Sequence, residues 1–220
     1  GTNLAFLGAN TMYWRIRLED RRTGRDRLQV GWRSDAALDP VARRHPRLTT
    51  ARWRDRPHPR PENSLIGMKY ECFPVSTDYR IVTPHWWGFR GTHVRRGSRF
   101  HSLVGIEADR VYPIRSTPRP LQILAHKKYS CGGVGTSAQS VYYTTKSGAG
   151  VFTAGTLRWQ CAMGRHCASA VMDVRTRSFV RAVTRNVIRV FAKGPVGDRF
   201  PAHDNVARFD LPRVNEVPAS

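Results

Sequence analysis

The sequence predicts an α/β protein in which a mostly β body is closed by one long helix. Short apolar segments such as Asn3–Gly8 have the length of buried strands. Further along, two strand-like stretches flank Lys146–Ala149, a Gly-containing segment that is typical of a hairpin turn. Finally, Met172–Lys193 repeats apolar residues at helical spacing, with arginines on the opposite side, and stops before a Gly-Pro pair.

The individual elements follow from local pattern. Asn3–Gly8 is apolar on both faces, which predicts a strand covered on both sides. Met12–Leu18 alternates apolar and polar residues and predicts a second, half-buried strand. From Glu19 to about Arg60 the chain is polar and proline-rich, which predicts a surface excursion. Further strands are predicted at Ser64–Phe73, Leu103–Glu107, Leu121–His126, Gln139–Thr145 and Gly150–Trp159.

The balance of strands and helices bears on domain organisation. One helix cannot cover both faces of a mixed sheet of this size, so we expect further cover from missing helices or from another subunit. The chain has no initiator Met and begins almost directly in a strand-like segment, as a fragment would. We therefore expect one domain at residues 1–195, truncated at its N-terminus, followed by a loose tail at 196–220.

A formal net charge of +21 raises the question of a polyanionic partner. Arginine supplies 32 of the 37 basic residues, a bias that a GC-rich genome also produces. The arginines are dispersed, and prolines interrupt their densest stretch, Arg43–Arg60, which suits an exposed loop better than a helix in a groove. The charge therefore leaves nucleic-acid binding as a third hypothesis, behind two that depend on the motifs below.

The cysteines and apolar runs bear on compartment. Cys72, Cys131, Cys161 and Cys167 lack the paired two-residue gaps of zinc sites, so we expect reduced, semi-buried thiols. No apolar run approaches the ~18 residues of a membrane span. The first residues carry no positive charge of the kind that opens a signal peptide. These observations predict a cytoplasmic protein without a membrane partner.

Several blocks, in a fixed order, resemble one known family. They are Asn3–Arg15, Arg52–Asp55 with Arg60–Gly67, Pro84–Thr92, Leu103–Asp109, Ser147–Trp159 and Thr184–Val187. Together they resemble the C-terminal domain of proteins related to the large (beta) subunit of N,N-dimethylformamidase, over roughly residues 3 to 195.

The resemblance implies a fold and a chemistry. The fold is a class I glutamine-amidotransferase-like three-layer α/β sandwich with a β-rich extension. The chemistry is hydrolysis of a small amide by a mononuclear iron held by two tyrosines and one glutamate. Tyr13 falls on one tyrosine position and Glu107 on the glutamate position, whereas the other tyrosine lies upstream of Gly1.

The chemistry of the two implied ligands fits this assignment. Phenolate and carboxylate are hard oxygen donors suited to a ferric ion. The alternative is that Tyr13 packs as an amphipathic residue with its hydroxyl hydrogen-bonded, and that Glu107 pairs with an arginine. Asp109, two residues beyond Glu107, is expected on the same face of a strand, where it binds either a cation or an arginine.

Two further residues are candidates for catalysis. Asn10 follows the first strand, and ligands of α/β sheets gather at the carboxyl ends of strands, so it lines a pocket or serves as a turn residue. His85, between Pro84 and two tryptophans, is a candidate general base or a structural histidine in an aromatic cluster.

The sequence thus predicts a domain related to metal-dependent amide hydrolases, acting on a small-molecule amide and incomplete by itself. The alternative is a non-catalytic binding module on the same fold.

Overall fold

A computed structural model describes residues 1–56, 58–164, 167 and 170–212. The chain forms two compact units, one made of Gly1–Thr11 with Asn63–Ser220 and the other of Met12–Glu62. Most residues of the segment predicted as a surface excursion, Glu19 to about Arg60, are exposed, and the segment belongs to a compact unit with its own hairpin. In the described part of the chain, no helix combines the length and apolar character needed to cross a membrane.

The fold is α/β, with one mixed sheet, antiparallel sheets and few helices. Its elements are β1 (Leu4–Phe6), β2 (Arg17–Arg21), β3 (Gly24–Val30), α1 (Asn63–Ile66), β4 (Lys69–Arg80), β5 (Arg99–Arg110), β6 (Leu121–Cys131), β7 (Val134–Thr144), β8 (Gly150–Thr153), α2 (Arg158–Met163) and α3 (Val174–Phe191). The mixed sheet has the order β1-β8-β7-β6, β4 pairs with β5, and β2 pairs with β3 in the second unit. A glutamine-amidotransferase-like sandwich stays a prediction.

The mixed sheet carries one parallel pair. β1 runs parallel to β8, with Leu4 opposite Val151, and the other neighbours are antiparallel. Asn3 fixes this edge: its Oδ1 accepts the Gly150 N–H at 2.8 Å. Its Nδ2 donates to the carbonyl oxygen of Phe191, the last residue of α3, at 3.0 Å, and to that of Gly194, beyond the helix, at 2.6 Å. One side chain therefore holds the first strand to both the sheet and the last helix.

The hairpin predicted around Lys146–Ala149 is confirmed, because β7 and β8 pair antiparallel with Thr144 opposite Gly150. The strand that follows is shorter than predicted, since it ends at Thr153 and Arg158–Met163 forms α2. Gly155 has a φ of 68°, a left-handed conformation that does not continue an extended strand.

Helix α3 supplies one wall of the hydrophobic core. It lies inside the predicted span Met172–Lys193 and is two residues shorter at each end. Its buried Phe179 stacks on Phe100 with ring centroids 3.8 Å apart, and it also contacts Tyr79 and Trp159. The Trp159 indole N–H of α2 donates a hydrogen bond to the Thr184 Oγ1 of α3, at 3.0 Å. The helical periodicity of the sequence thus marks a face that packs on β5 and α2.

Asp173 caps the N-terminus of α3, where its carboxylate accepts the Thr176 N–H at 2.6 Å. We expect Asp173→Ala to lower the free energy of unfolding by about 1 kcal/mol, because a free amide at the helix start loses its partner. The same hydrogen bond holds the pKa of Asp173 below its usual value, so the stabilisation is lost as pH falls through that lowered pKa. Urea unfolding at neutral and acidic pH measures both effects. Asp173→Asn should retain most of the cap, and equal losses in the two variants would contradict this role.

Two predicted strands differ in the structure. Met12–Leu18 does not form one strand: β2 begins only at Arg17, and Ile16 and Leu18 are about half exposed, so their alternation marks no buried face. Within Ser64–Phe73 the chain first forms α1, then turns at Gly67, with a φ of 76°, and enters β4 at Lys69.

The expected loose tail is packed over its described part. Val196, Ala202 and Val206 are buried. The Asn205 Oδ1 accepts the Ile123 N–H of β6 at 2.7 Å, and the Tyr142 hydroxyl of β7 donates to the Phe200 carbonyl oxygen at 2.7 Å. The prediction is therefore wrong for residues 196–212, whereas 213–220 lie outside the described residues.

The prediction of reduced thiols is also wrong. Cys72 of β4 is bonded to Cys131 at the end of β6, and Cys161 is bonded to Cys167. The first pair is separated by 59 positions, and its Cα atoms are 6.1 Å apart. The two cysteines come together because β4 packs against β6, and the spacing of cysteines along the sequence does not predict this packing.

Candidate oxygen-donor site

The structure brings three of the singled-out residues together beyond the end of β1. Asn10 has a φ of 56°, which places its N–H 2.9 Å from the Asp109 Oδ1 as a hydrogen-bond donor. Its Nδ2 donates to the Glu107 Oε1 at 3.1 Å. Glu107 and Asp109 are two positions apart on β5, so their side chains point to the same face of the strand. Asn10 therefore joins both carboxylates.

The backbone that follows β8 holds the two acidic residues in place. The Asp109 N–H donates to the Gly155 carbonyl at 3.1 Å, and the Leu157 N–H donates to the Glu107 carbonyl at 3.2 Å. A Cβ on Gly155 would collide with the carbonyl oxygen of Gln139, so this close approach requires glycine as well as its φ of 68°.

Backbone strain lies next to this cluster. Ile106, immediately before Glu107, has a φ of 60°, which is rare and costly for a β-branched residue. The β4–β5 register shifts here: Cys72 faces Ala108 and Val75 faces Ile106, so β4 carries an extra residue opposite Glu107. Bulges of this kind re-aim a side chain, and the strained backbone sets the direction in which Glu107 leaves the strand.

The donor chemistry of the cluster fits a hard cation. The two carboxylates and the Asn10 amide present oxygen acceptors of the kind that hard cations bind. The nitrogen of these three side chains, the Asn10 Nδ2, donates to Glu107. Within the described residues, the Asn10 Oδ1 is buried and has no hydrogen-bond partner. Such an oxygen is satisfied by a donor or by a cation. Among all described residues, no group of three or more His, Cys, Asp or Glu side chains is placed to hold a metal ion.

Tyr13 lies in the other unit, at the start of a segment that pairs with Ala51–Trp53. It is buried, and its hydroxyl accepts a hydrogen bond from the Arg52 Nη1 at 3.4 Å. The Arg54 guanidinium lies 5.0 Å from the centre of the Tyr13 ring. The contact with Tyr13 is the main cause that raises the pKa of Arg52 above its usual value, so Arg52 stays charged next to the phenol oxygen. Convergence of Tyr13 and Glu107 on one metal stays a prediction.

His85 is exposed, whereas Trp86 and Trp87 after it are buried. Trp86 stacks on Phe152 with ring centroids 5.2 Å apart, so the aromatic cluster forms without enclosing the imidazole. No hydrogen bond or ion pair joins His85 to Asn10 or Glu107 among the described residues. Its role as a general base stays a prediction.

Sequence reasoning missed a buried charged network elsewhere in the same unit. The Arg110 Nη1 donates to the Glu71 Oε1 at 3.1 Å and to the Thr136 Oγ1 at 2.7 Å. The hydroxyls of Tyr112 and Thr136 also donate to the Glu71 carboxylate. The only signal in the sequence is a glutamate inside an otherwise apolar stretch of β4, and its partners come from β5, β7 and the chain after β5.

A cavity of about 490 Å³ lies beside this network, lined in part by Arg110, Lys128 and Tyr129. Burial raises the pKa of Tyr129, and its hydroxyl has no partner among the described residues. Burial, with nearby Lys128 and Arg110, lowers the pKa of His126 to about 4, so this imidazole is neutral near pH 7. Thr136, Ser137 and Asp210 also line the cavity, which is therefore polar, and the Arg110 guanidinium at its wall is paired with Glu71.

These features define the class of the protein: an α/β domain with a mixed sheet, antiparallel sheets and an oxygen-donor cluster where β1 ends. The family model described as N,N-dimethylformamidase beta subunit-like, C-terminal, matches residues 1–169 of the 220. The chain belongs to this family. The match contains Asn10, Tyr13, His85, Glu107 and Asp109 and ends before α3. A search of curated proteins finds no match.

Proposed function

We propose that this domain belongs to a hydrolase that cleaves the C–N bond of a small amide with the help of a bound metal ion. Family membership supports the reaction class. The single observation that carries the site is Asn10, which binds both Glu107 and Asp109 while its own Oδ1 is buried and unsatisfied among the described residues.

Each residue has a distinct role in this proposal. Glu107 and Tyr13 would hold a mononuclear iron, which when bound polarises an amide carbonyl and activates water. Asn10 orients the Glu107 carboxylate through its amide hydrogen bond, and Asp109 fixes the Asn10 backbone. His85, exposed to solvent, would exchange a proton with bulk water.

Metal content of the complete protein tests the proposal. We expect Glu107→Gln to lower bound iron by about tenfold or more, because the neutral amide is a poorer ligand, and Asn10→Gly to lower it less. Asn10→Gly removes the side chain but tolerates the φ of 56°. Asp78→Asn, which changes a carboxylate paired with the exposed His101, is the matched control and should leave iron unchanged. Well-folded wild-type protein without metal, or Glu107→Gln with full occupancy, would reject this chemistry.

A specific observation favours a second candidate, a non-catalytic binding module on the same fold. The Tyr13 hydroxyl is engaged by Arg52, and the Glu107 carboxylate by Asn10, as structural residues would be. Coding sequence upstream that supplies the second tyrosine would favour the enzyme. Upstream coding sequence that lacks this second tyrosine would favour the non-catalytic binding module.

The family description also bears on partners, because it names a subunit. We infer that the active assembly contains a further polypeptide or further residues that complete the sheet cover and the ligand set.

The two disulfides argue against the cytoplasmic location expected from reduced cysteines, because such bonds persist mainly in oxidising compartments. We infer folding in an oxidising compartment, and recovery of the native protein with free thiols would contradict it.

A further inference from the structure

A cationic cavity of about 590 Å³ lies within the Met12–Glu62 unit. Its size is that of a small-molecule pocket. Its lining includes the polar and apolar side chains of Arg15, Arg17, Arg47, Leu48, Trp53, His58 and Arg60. Four arginines and one histidine therefore line this space, and none of the described residues that line it carries a carboxylate.

The walls are held by backbone pairing. The Arg15 N–H donates to the Ala51 carbonyl at 3.0 Å, and the Arg60 N–H donates to the Trp53 carbonyl at 2.7 Å. The Arg15 guanidinium lies 5.1 Å from the centre of the Trp53 ring and donates to the His58 carbonyl at 2.5 Å. The cavity is thus built by tertiary contacts and is more than a chance grouping of mobile surface arginines.

The charges at the cavity are unevenly compensated. Arg17 is neutralised by Asp39, at 2.7 Å, and by Glu19, at 2.8 Å. By contrast, no salt bridge in the described chain involves Arg15, Arg47 or Arg60. Asp55 also acts electrostatically on Arg15, but this carboxylate is bound by Arg52 at 3.0 Å. Among the described residues, three cations at one cavity therefore have no salt-bridge partner.

Arg15 carries the strongest indication of a ligand. It is only 8% exposed, and its Nε has no hydrogen-bond partner among the described residues. A buried cation with an unused donor is stabilised by an anion that accepts its hydrogen bond.

We propose that this cavity binds a small oxyanion, the phosphate or carboxylate group of an organic ligand, through Arg15, Arg47 and Arg60. Guanidinium groups match the planar carboxylate and the phosphate by paired hydrogen bonds. Trp53 and Leu48 supply apolar surface for the organic part of the ligand. This site belongs to the Met12–Glu62 unit and does not depend on the proposed hydrolase chemistry.

Calorimetric titration of the full chain tests the site with inorganic phosphate, acetate and a short single-stranded oligonucleotide as separate probes, at constant ionic strength. We expect saturable one-to-one binding of phosphate or acetate. Arg60→Ala and Arg47→Ala, at exposed positions, should each weaken it by about tenfold, because each removes a charge-assisted hydrogen bond. Arg15→Met should abolish it, and the two exposed variants keep the test decisive if Arg15→Met fails to fold.

Arg25→Ala is the matched control, since Arg25 is an exposed arginine of β3 in the same unit and does not line the cavity. We expect unchanged affinity for this variant. The proposal is overturned if neither small anion binds, if Arg25→Ala weakens binding as much as Arg60→Ala, or if only the oligonucleotide binds. The last two results would show a diffuse polyanion surface. Iron content measured in the Arg47→Ala and Arg60→Ala variants, which replace exposed residues, distinguishes failure here from failure of the hydrolase proposal.

Discussion

Glu71→Ala should lower the free energy of unfolding by about 3–5 kcal/mol, the largest loss that we expect from one substitution in this chain. The Glu71 side chain is inaccessible and that of Arg110 is 6% exposed, so the substitution leaves a buried guanidinium without its counter-charge. It also removes the acceptor of the Tyr112 and Thr136 hydroxyls. Urea unfolding of the disulfide-intact protein measures the loss.

Two comparisons isolate the cause of this loss. Asp78→Ala removes a carboxylate whose partner, His101, is largely exposed, and should cost less than about 1 kcal/mol. Replacing both buried charges, as in Glu71→Leu with Arg110→Met, should recover much of the stability, because no charge is then stranded. Similar losses for Glu71→Ala and Asp78→Ala, or a double variant as unstable as Glu71→Ala, would show that the buried ion pair is not the cause.

Loss of the Cys72–Cys131 disulfide should lower the free energy of unfolding by about 4 kcal/mol. The bond joins positions 59 apart, so it restricts a long loop of the unfolded chain. The paired substitution Cys72→Ala with Cys131→Ala removes this restriction and leaves β4 and β6 otherwise unchanged. Urea unfolding under non-reducing conditions provides the measurement, and the intact mass of the wild type reports whether the bonds are present.

The second disulfide provides a matched control. Cys161 and Cys167 are separated by only six positions, so removing this pair by the same substitutions should cost about 2 kcal/mol in the same chain-entropy treatment. A reducing agent should bring the wild type close to the protein that lacks all four cysteines. Equal losses from the two pairs would contradict the loop-length explanation, and free thiols in the native protein would contradict the bonds themselves.

Local pattern predicted those parts of the fold whose causes are local. The periodicity of Phe179, Val183 and Val187 marks the buried face of α3, and the turn at 145–149 joins two strands as its residues indicate. Met12–Leu18 misled because Ile16 and Leu18, on the face predicted to be buried, are about half exposed, whereas Tyr13 and Arg15 on the opposite face are buried. Pairing over long distances, such as Cys72 with Cys131, depends on strand register, which local pattern does not contain.

The same distinction applies to the candidate site. Asn10, Glu107 and Asp109 were singled out because polar residues at strand ends and on one strand face are recognisable in sequence. Their mutual hydrogen bonds depend on the bulge opposite Glu107 and on the turn at Asn10, both of which are tertiary features. The cationic cavity was missed because its arginines come from two segments with different predictions: Arg15 and Arg17 lie in a predicted strand, and Arg47 and Arg60 in a predicted surface excursion. The pairing of Arg15 with Ala51 brings the two segments together.

The attachment of Asn3 has a consequence for the order of folding. Its partners, Gly150, Phe191 and Gly194, follow it by 147 to 191 positions, so these hydrogen bonds join β1 to distant parts of the chain. Contacts of such long range form late, after the entropy of closing the intervening chain has been overcome. We therefore expect the sheet edge to assemble after the C-terminal half, with the segment that leads to Asn10 among the last to take its native position.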